Sequence, residues 1–406
     1  MNATQFIFSS YKLEFPKVTF TYKVEFDDGT HESYEEVLEL PKLGHITPKF
    51  STKTLEPFLQ SLHLALGMSY WKQYCPPSIK LQAGYTLTHQ QATFWNTLYT
   101  KGLGEFFYRN NIDYRNLVQF PVNEVGLKPV SIATTNRLLV PVGGGKDSIV
   151  TIELLRNRQE TFDTFALNPH PLMREIVEIA EKRLIEVKRT LDSKIFDGSS
   201  SSAKTTPYNG HVPVTSIYIF TALLVSAIYG YSAVAISAEH SANYGNVEYL
   251  GQEINHQWSK SEEFERLLQK YLEQNVSPNI RVYSLLRDLR EFDIVEKFVQ
   301  YPQYFHQFSS CNRNFALQGS KNLAGKLWCG ECPKCAFVFV LLGAFLPKAT
   351  IVQIFGKNLF ADEHLISLYR ELLGLEAFKP FECVGTPEEM REAFAMIKKK
   401  SEFQDD

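Results

Sequence analysis

The chain has 406 residues, enough for two or three domains at roughly 150 residues each. Its 44% hydrophobic and 21% charged residues give the balance of an ordinary globular protein, and 42 basic against 45 acidic residues leave a net charge of −3. With no basic block beyond Lys398–Lys400, that balance excludes a protein whose main work is non-specific nucleic-acid binding, and no nucleic-acid partner is expected, although nucleotide or tRNA recognition stays open.

Taken in chain order, Phe6–Phe8, Val18–Phe26 and His31–Leu40 are runs rich in β-branched, aromatic and aliphatic residues, and Asp27-Asp28-Gly29 between the last two is a hairpin turn. Helical periodicity follows over Leu55–Leu66 and His89–Lys101. Strands before helices predict a separate α+β N-terminal domain over 1–130, serving as a scaffold or as a substrate-binding lid. From Leu138 the pattern alternates. Leu138–Val142, Phe162–Leu167, Ser232–Ser237 and Arg281–Leu285 read as buried strands; Ser148–Arg156, Pro171–Lys182, Pro213–Tyr229 and Ser261–Gln274 read as helices. This predicts an α/β fold with a doubly wound parallel sheet over 131–300, whose ligands sit at the carboxyl ends of the strands.

Ser193–Ser202 reads as a mobile loop. The remainder, 301–406, is expected to be helical and to carry a metal. Thr386-Pro387-Glu388-Glu389 supplies a capping residue, a proline at the first helical position and a glutamate at the third. The longest apolar runs, Ile217–Tyr229 and Ala336–Leu346, fall short of the roughly 20 residues that cross a bilayer, so no membrane partner is expected. The start of the chain has no basic and apolar leader, which predicts a cytoplasmic protein with reduced thiols.

The most informative stretch is Leu138–Val142, then Gly143-Gly144-Gly145-Lys146-Asp147-Ser148, then the apolar helix beginning at Ile149. Consecutive glycines let backbone N–H groups approach an anion, and the helix start adds its own unpaired N–H groups. Lys146 offers a charge to phosphate oxygens, and Asp147 is a candidate ligand for Mg²⁺. A Walker A loop fails here because Asp147 follows Gly145-Lys146. A dinucleotide loop fails because Ser148 stands at its third glycine. The stretch resembles the S-G-G-x-D-S signature of the PP-loop ATP pyrophosphatases, departing only at Gly143. Pro141 is unexpected in a central strand, since it lacks a ladder donor.

Polar residues follow the other strands: Leu167-Asn168 after the second, His211 before the next long helix, and Glu239, His240 and Tyr244 after the strand ending at Ser237. Each is also explained as a cap or surface group. Late in the chain Cys311, Cys329, Cys332 and Cys335 form a C-x17-C-x2-C-x2-C array that suits a closed structural Zn²⁺ site. An Fe–S cluster and metal-free thiols are the alternatives, and a Cys332/Cys335 redox pair leaves the other two unexplained. Cys75 and Cys383 stand alone, as small buried apolar residues usually do.

Three features together resemble the MurL family of ATP-dependent UDP-N-acetylmuramoyl-L-alanyl-L-glutamate epimerases: the Gly143–Ser148 loop, the segment from Ser237 to Asn246, and Trp328-Cys-Gly-Glu-Cys-Pro-Lys-Cys-Ala-Phe337. The resemblance implies ATP and Mg²⁺ as cofactors, structural zinc, and a UDP-MurNAc-dipeptide substrate. Its terminal L-Glu would be converted to D-Glu through an acyl-adenylate, with AMP and diphosphate released. It further implies that Gly143, Gly144, Gly145, Lys146, Asp147, Ser148, Leu167 and Asn168 hold the nucleotide. The acid–base groups, chosen by position, would come from His211, Glu239, His240 and Tyr244, with Lys146 and Asp147 also catalytic; a cysteine-based racemase using Cys75 or Cys383 is the rival mechanism, although neither lies in a recognisable racemase motif. The same loop and cysteine pattern occur in the shorter deazaguanine nitrile synthases, so amidation or tRNA modification is the alternative, and nucleotide sensing without turnover a third.

Overall fold

The computed structural model describes residues 2–42, 51–196, 206–315, 326–376 and 378–404. An antiparallel meander comes first, β1 (Ala3–Glu14), β2 (Lys17–Phe26) and β3 (His31–Glu39). Helix α1 (Thr52–Trp71), strand β4 (Ser78–Leu81) and helices α2 (His89–Gly102) and α3 (Gly104–Arg109) follow. The period of two dictates the burial: Val18, Phe20, Tyr22, Val24 and Phe26 turn to one covered face of β2. Asp27-Asp28-Gly29 closes β2 onto β3, with Gly29 at a φ of +81° that strains any side chain.

The second stretch alternates strand and helix: β5 (Leu138–Pro141), α4 (Lys146–Asn157), β6 (Phe162–Leu167), α5 (Pro171–Ile179), β7 (Leu184–Thr190), α6 (Val214–Tyr229) and β8 (Ala233–Ile236). A small hairpin, β9 (Val247–Tyr249) and β10 (Gln252–Ile254), precedes α7 (Glu262–Asn275), β11 (Arg281–Ser284) and α8 (Glu291–Phe298). The chain closes with α9 (Pro333–Phe345), α10 (Lys348–Phe355), α11 (Ile366–Leu372) and α12 (Pro387–Ile397). As the sequence predicts, Thr386 and Glu389 form a capping box at the start of α12, with Pro387 in its first turn. Ser199–Ser202, at the end of the predicted mobile loop, lie outside the described residues, and the part of that loop before them begins with a short 3₁₀ turn, Ser193–Ile195.

Nine strands form one sheet in the order β11-β8-β5-β6-β7-β3-β2-β1-β4. The five from β11 to β7 are mutually parallel, so the architecture is α/β with a large, mostly parallel sheet. Successive residues of its central strands point to opposite cores. Leu139, Phe165, Val187 and Val234 pack with α1, α2, α6 and α7, whereas Val140, Ala166 and Ala235 pack with α4, α5, α8 and α9. The N-terminal segment does not stand apart: β3 pairs antiparallel with β7, and its side chains share the first of these cores. The sequence does not announce β7, because Glu186, Lys188 and Arg189 break up its apolar residues.

That seam is closed by a buried ion pair, Arg189 Nε to Glu36 Oε1 at 2.5 Å, with Glu36 fully covered. Glu36→Ala leaves the guanidinium without its counter-charge and is expected to lower stability by about 3–5 kcal/mol, read as the urea midpoint. The double change Glu36→Leu with Arg189→Met recovers most of that loss; an unaltered midpoint for Glu36→Ala would rule out the pair as the seam's fastening.

Candidate active site

Within the parallel part of the sheet the strands run, in order of appearance along the chain, third-second-first-fourth-fifth from β7 to β11. The order reverses between β5 and β8, and ligands of such sheets lie in the crevice at that reversal. The two strands pair only at Leu138/Ala233 and Leu139/Val234, after which they part. This accounts for Pro141: the Val142 N–H bonds to Phe165 O, on the β6 side, so the position where proline lacks an N–H faces β8, whose ladder has already ended.

The glycine loop fills this gap. Gly144 has a φ of +86°, and a Cβ there would come within 3.0 Å of the Phe315 ring. Among the described residues a Cβ on Gly143 would meet nothing within 4 Å, and Gly143 is exposed. Gly145 is the N-cap of α4, and among the described residues no side chain caps the helix amides. The Ser148 hydroxyl donates to Gly145 O at 2.9 Å and braces the turn. From across the crevice, Ser309 N donates to Gly144 O at 2.9 Å, and Ser310 packs against Gly145.

Charged side chains gather beneath the loop. Lys146, 1% exposed, is ion-paired with Asp147 and with Glu291 at the start of α8. Glu291 also faces Lys334 Nζ at 3.4 Å. Burial works against the charge of Lys146, but the carboxylates of Asp147 and Glu291 outweigh it and raise its pKa above the ordinary lysine value. Burial likewise opposes the charge of Glu291, yet Lys146 and then Lys334 hold its carboxyl below the usual range. Glu239, at the end of β8, behaves oppositely. Its carboxyl is buried and, among the described residues, its Oε2 has no hydrogen-bond partner. Burial pushes its pKa up to about 7; Lys260 pulls it down while Glu291 and Asp147 push it further up.

Among the described residues, other buried polar atoms without partners lie near the loop: Ser237 Oγ beside Glu239, Ser310 Oγ against the glycine loop, and Asn314 Nδ2 next to Phe315. Native interiors rarely leave such atoms unpaired, and a polar ligand would satisfy them. A groove of about 620 Å³ lined by Asn243, Gln252, Trp258 and Arg266 includes none of these groups.

The remaining predicted residues are distributed unevenly. His240 is exposed and Tyr244 is 51% exposed, their rings 6.1 Å apart at the rim. Asn168 spends both ends of its amide on β7, accepting from Arg189 N at 2.7 Å and donating to Arg189 O at 2.8 Å, while Leu167 is buried at the end of β6. His211 lies 3.3 Å from Glu105 Oε2, and burial, reinforced by His256, lowers its pKa to about 3. Sequence reasoning misses Glu105, His256, Lys260, Glu291, Ser310 and Lys334. Only Lys334 carried a signal, lying inside the Cys-Pro-Lys-Cys segment.

Cys311, Cys329, Cys332 and Cys335 converge, with Sγ separations of 4.0 Å (Cys311–Cys332), 3.6 Å (Cys329–Cys335) and 3.5 Å (Cys332–Cys335). Zn–S bonds of about 2.3 Å in a tetrahedron place sulfurs about 3.8 Å apart, and a disulfide needs about 2.05 Å. The quartet therefore fits an ion such as zinc and not a disulfide.

These features define an α/β protein of the doubly wound type, with a glycine loop, buried lysines and a carboxyl titrating near neutrality around one crevice. The chain belongs to the MurL family: a model described as the MurL N-terminal domain matches residues 1–285, running without a break through residue 130, and one described as the MurL C-terminal domain matches 307–406. It is 37% identical over 349 residues to the UDP-N-acetyl-alpha-D-muramoyl-L-alanyl-L-glutamate epimerase of Xanthomonas oryzae pv. oryzae, covering 86% of this chain and 76% of that one. It is 36% identical to the proteins of the same name from a Micromonospora species (98% of this chain, 88% of the relative) and from Salinispora tropica (100% and 87%).

Because the Glu239 carboxyl titrates near 7 when folded against 4.5 for the ordinary group, its ionisation opposes folding. No penalty exists below pH 4.5, and it grows as the pH rises towards 7. Glu239→Gln should therefore raise the melting temperature by a few degrees at pH 8 and leave it unchanged near pH 4. An equal effect at both would contradict the assignment. Cys332→Ser is expected to lose bound zinc and thermal stability together, followed by metal analysis and melting; a zinc-free wild-type protein would overturn the zinc assignment.

Proposed function

We propose that this chain is an ATP-dependent epimerase that converts the terminal L-glutamate of UDP-MurNAc-L-Ala-L-Glu to D-glutamate through an acyl-adenylate, releasing AMP and diphosphate, in cytoplasmic peptidoglycan precursor synthesis. The observation that carries this reading is the pairing at one crevice of an open glycine loop with a buried carboxyl of near-neutral pKa, in a chain whose relatives bear that epimerase name. In this reading the loop is of the PP-loop kind. Residues 131–300 carry the nucleotide, 301–406 carry structural zinc, and 1–130 reach the site through Glu105.

The chemistry calls for such a site. A hydrogen on the carbon beside an ionised carboxylate is hard to remove, because the resulting carbanion adjoins a second negative charge. Joining AMP to the carboxylate cancels that charge and lets the carbonyl oxygen accept the electron pair. The amides of Gly143–Gly145 and the start of α4 grip the phosphates. Lys146 lies between Asp147 and Glu291, so an arriving phosphate competes for its ammonium and releases Asp147. A Mg²⁺ ion on Asp147 would supply charge neutralisation between the phosphates. Glu239, neutral for much of the time at pH 7, is suited to give and take a proton.

The decisive assay supplies ATP, Mg²⁺ and the muramoyl dipeptide in deuterated water. AMP, pyrophosphate and deuterium at the glutamate α-position are expected together; ADP in place of AMP, or an unlabelled product, would reject the reading. Asp147→Asn should retain the fold while turnover drops by about 10²-fold or more, since several kcal/mol of charge neutralisation disappear with the ion. Wild-type turnover in that variant would remove Asp147 from the mechanism.

A further inference from the structure

Epimerisation needs two proton-transferring groups on opposite faces of one carbon, and Glu239 supplies one. A second lies on the far side of Lys260, the neighbour it shares with Glu239, on a segment that the strands do not provide. Residues between α11 and α12 fold back over the end of β8: Asn246 Nδ2 donates to Lys379 O at 3.2 Å and to Pro380 O at 2.8 Å, Gln257 Nε2 donates to Val384 O at 3.3 Å, and the Lys334 ammonium donates to Cys383 O. Cys383, partly exposed and outside the metal quartet, is thereby fixed at the site. Its thiol neighbours His256, whose Nδ1 is bonded in turn to the Glu105 carboxylate. The sequence of carboxylate, imidazole and thiol is the arrangement that activates a sulfur as a base. The buried Oε2 of Glu239, without a hydrogen-bond partner among the described residues, marks independently where a substrate group is missing.

Among the described residues, Lys260 and His256 from the segment before α7, Lys334 from α9, and Lys379 and Glu382 from its own segment act on the thiol or are acted on by it. Lys260 is the neighbour that Cys383 and Glu239 share. Burial alone would raise the thiol, but Lys260 and then His256 bring it down to about 6. Burial would lower His256, yet Cys383 and Glu105 carry it up to about 9. At neutral pH the pair is therefore thiolate and imidazolium, while Glu239 is still partly protonated.

We infer that Cys383 takes the α-proton from the L-glutamate unit and that Glu239 returns a proton on the opposite face, an inference that rests on the epimerase reading above. The C–H electron pair passes to the activated carbonyl as the thiolate becomes a thiol. The enolate oxygen faces the Lys260 ammonium, the Glu239 carboxyl then protonates carbon and becomes a carboxylate, and both groups recover through exchange with water.

The test follows the L-dipeptide substrate with ATP and Mg²⁺ in deuterated water, scoring inversion, label in recovered L-glutamate, and ATP–pyrophosphate exchange. Cys383→Ala should lose inversion and label together by about 10²-fold or more while exchange with pyrophosphate persists and zinc content is unchanged. Glu239→Gln should lose inversion yet wash deuterium into recovered L-glutamate, because Cys383 still removes the proton and returns a deuteron to the same face. A defect in packing alone would not split the two variants in this way. If the alanine variant melts early, Cys383→Ser carries the same readout. Label entering at the wild-type rate in either cysteine variant, or its absence from recovered L-glutamate in Glu239→Gln, overturns the inference. Wild-type labelling that needs no ATP would instead overturn adenylation and leave the role of Cys383 supported; no wild-type labelling at all would end both.

Discussion

Lys146 and Glu291 meet with each side chain only 1% exposed, and the site is organised around that contact. A buried ion pair gives little net stability, since withdrawing both charges from water consumes most of what their attraction returns. Its value here is positional. It ties the first residue of α4, immediately after the glycine loop, to the first residue of α8, which follows the outermost parallel strand. Lys334 joins the same carboxylate from α9. Three helices from distant parts of the chain are thus held at one point beneath the crevice, and the orientation of the loop amides depends on it.

Around that point each region contributes what the others lack. The parallel strands deliver the glycine loop and Glu239 to one end of the sheet. The N-terminal region contributes Glu105, which orients His256. The C-terminal helices bring Lys334 and the Cys383 segment over the top. No single region holds a complete constellation, which fits a nine-stranded sheet that draws the N-terminal meander and the parallel strands together and a second core that joins those strands to the terminal helices.

Much of this was legible in the sequence because it depends on local rules. β6 follows its apolar run residue for residue, the Thr386 capping box sits where its spacing puts it, and the glycine loop falls between β5 and α4. The cysteine quartet converges from its spacing alone. What escaped depends on long-range contact. β7 is recognisable only once β3 lies beside it and Arg189 finds Glu36. Glu291 reads as an ordinary helix-start carboxylate until Lys146 appears next to it. Cys383 reads as an isolated small residue until folding sets it against His256 and Lys260. Nothing in the sequence signals that the Asn168 amide bonds to the backbone of Arg189.

The stretch from Ser309 to Phe315 ends in a further consequence. It supplies Cys311 to the quartet, and the same few residues hydrogen-bond to Gly144 and lay the Phe315 ring on it. Occupancy of the quartet and occupancy of the glycine loop therefore share one short mechanical link. Thermodynamic reciprocity then requires that any ion tightening this link for a nucleotide be itself retained more strongly once the nucleotide is in place. On the proposed reading, with an ion that tightens the link, a chelator and a nucleotide would act as antagonists, although neither touches the other's atoms.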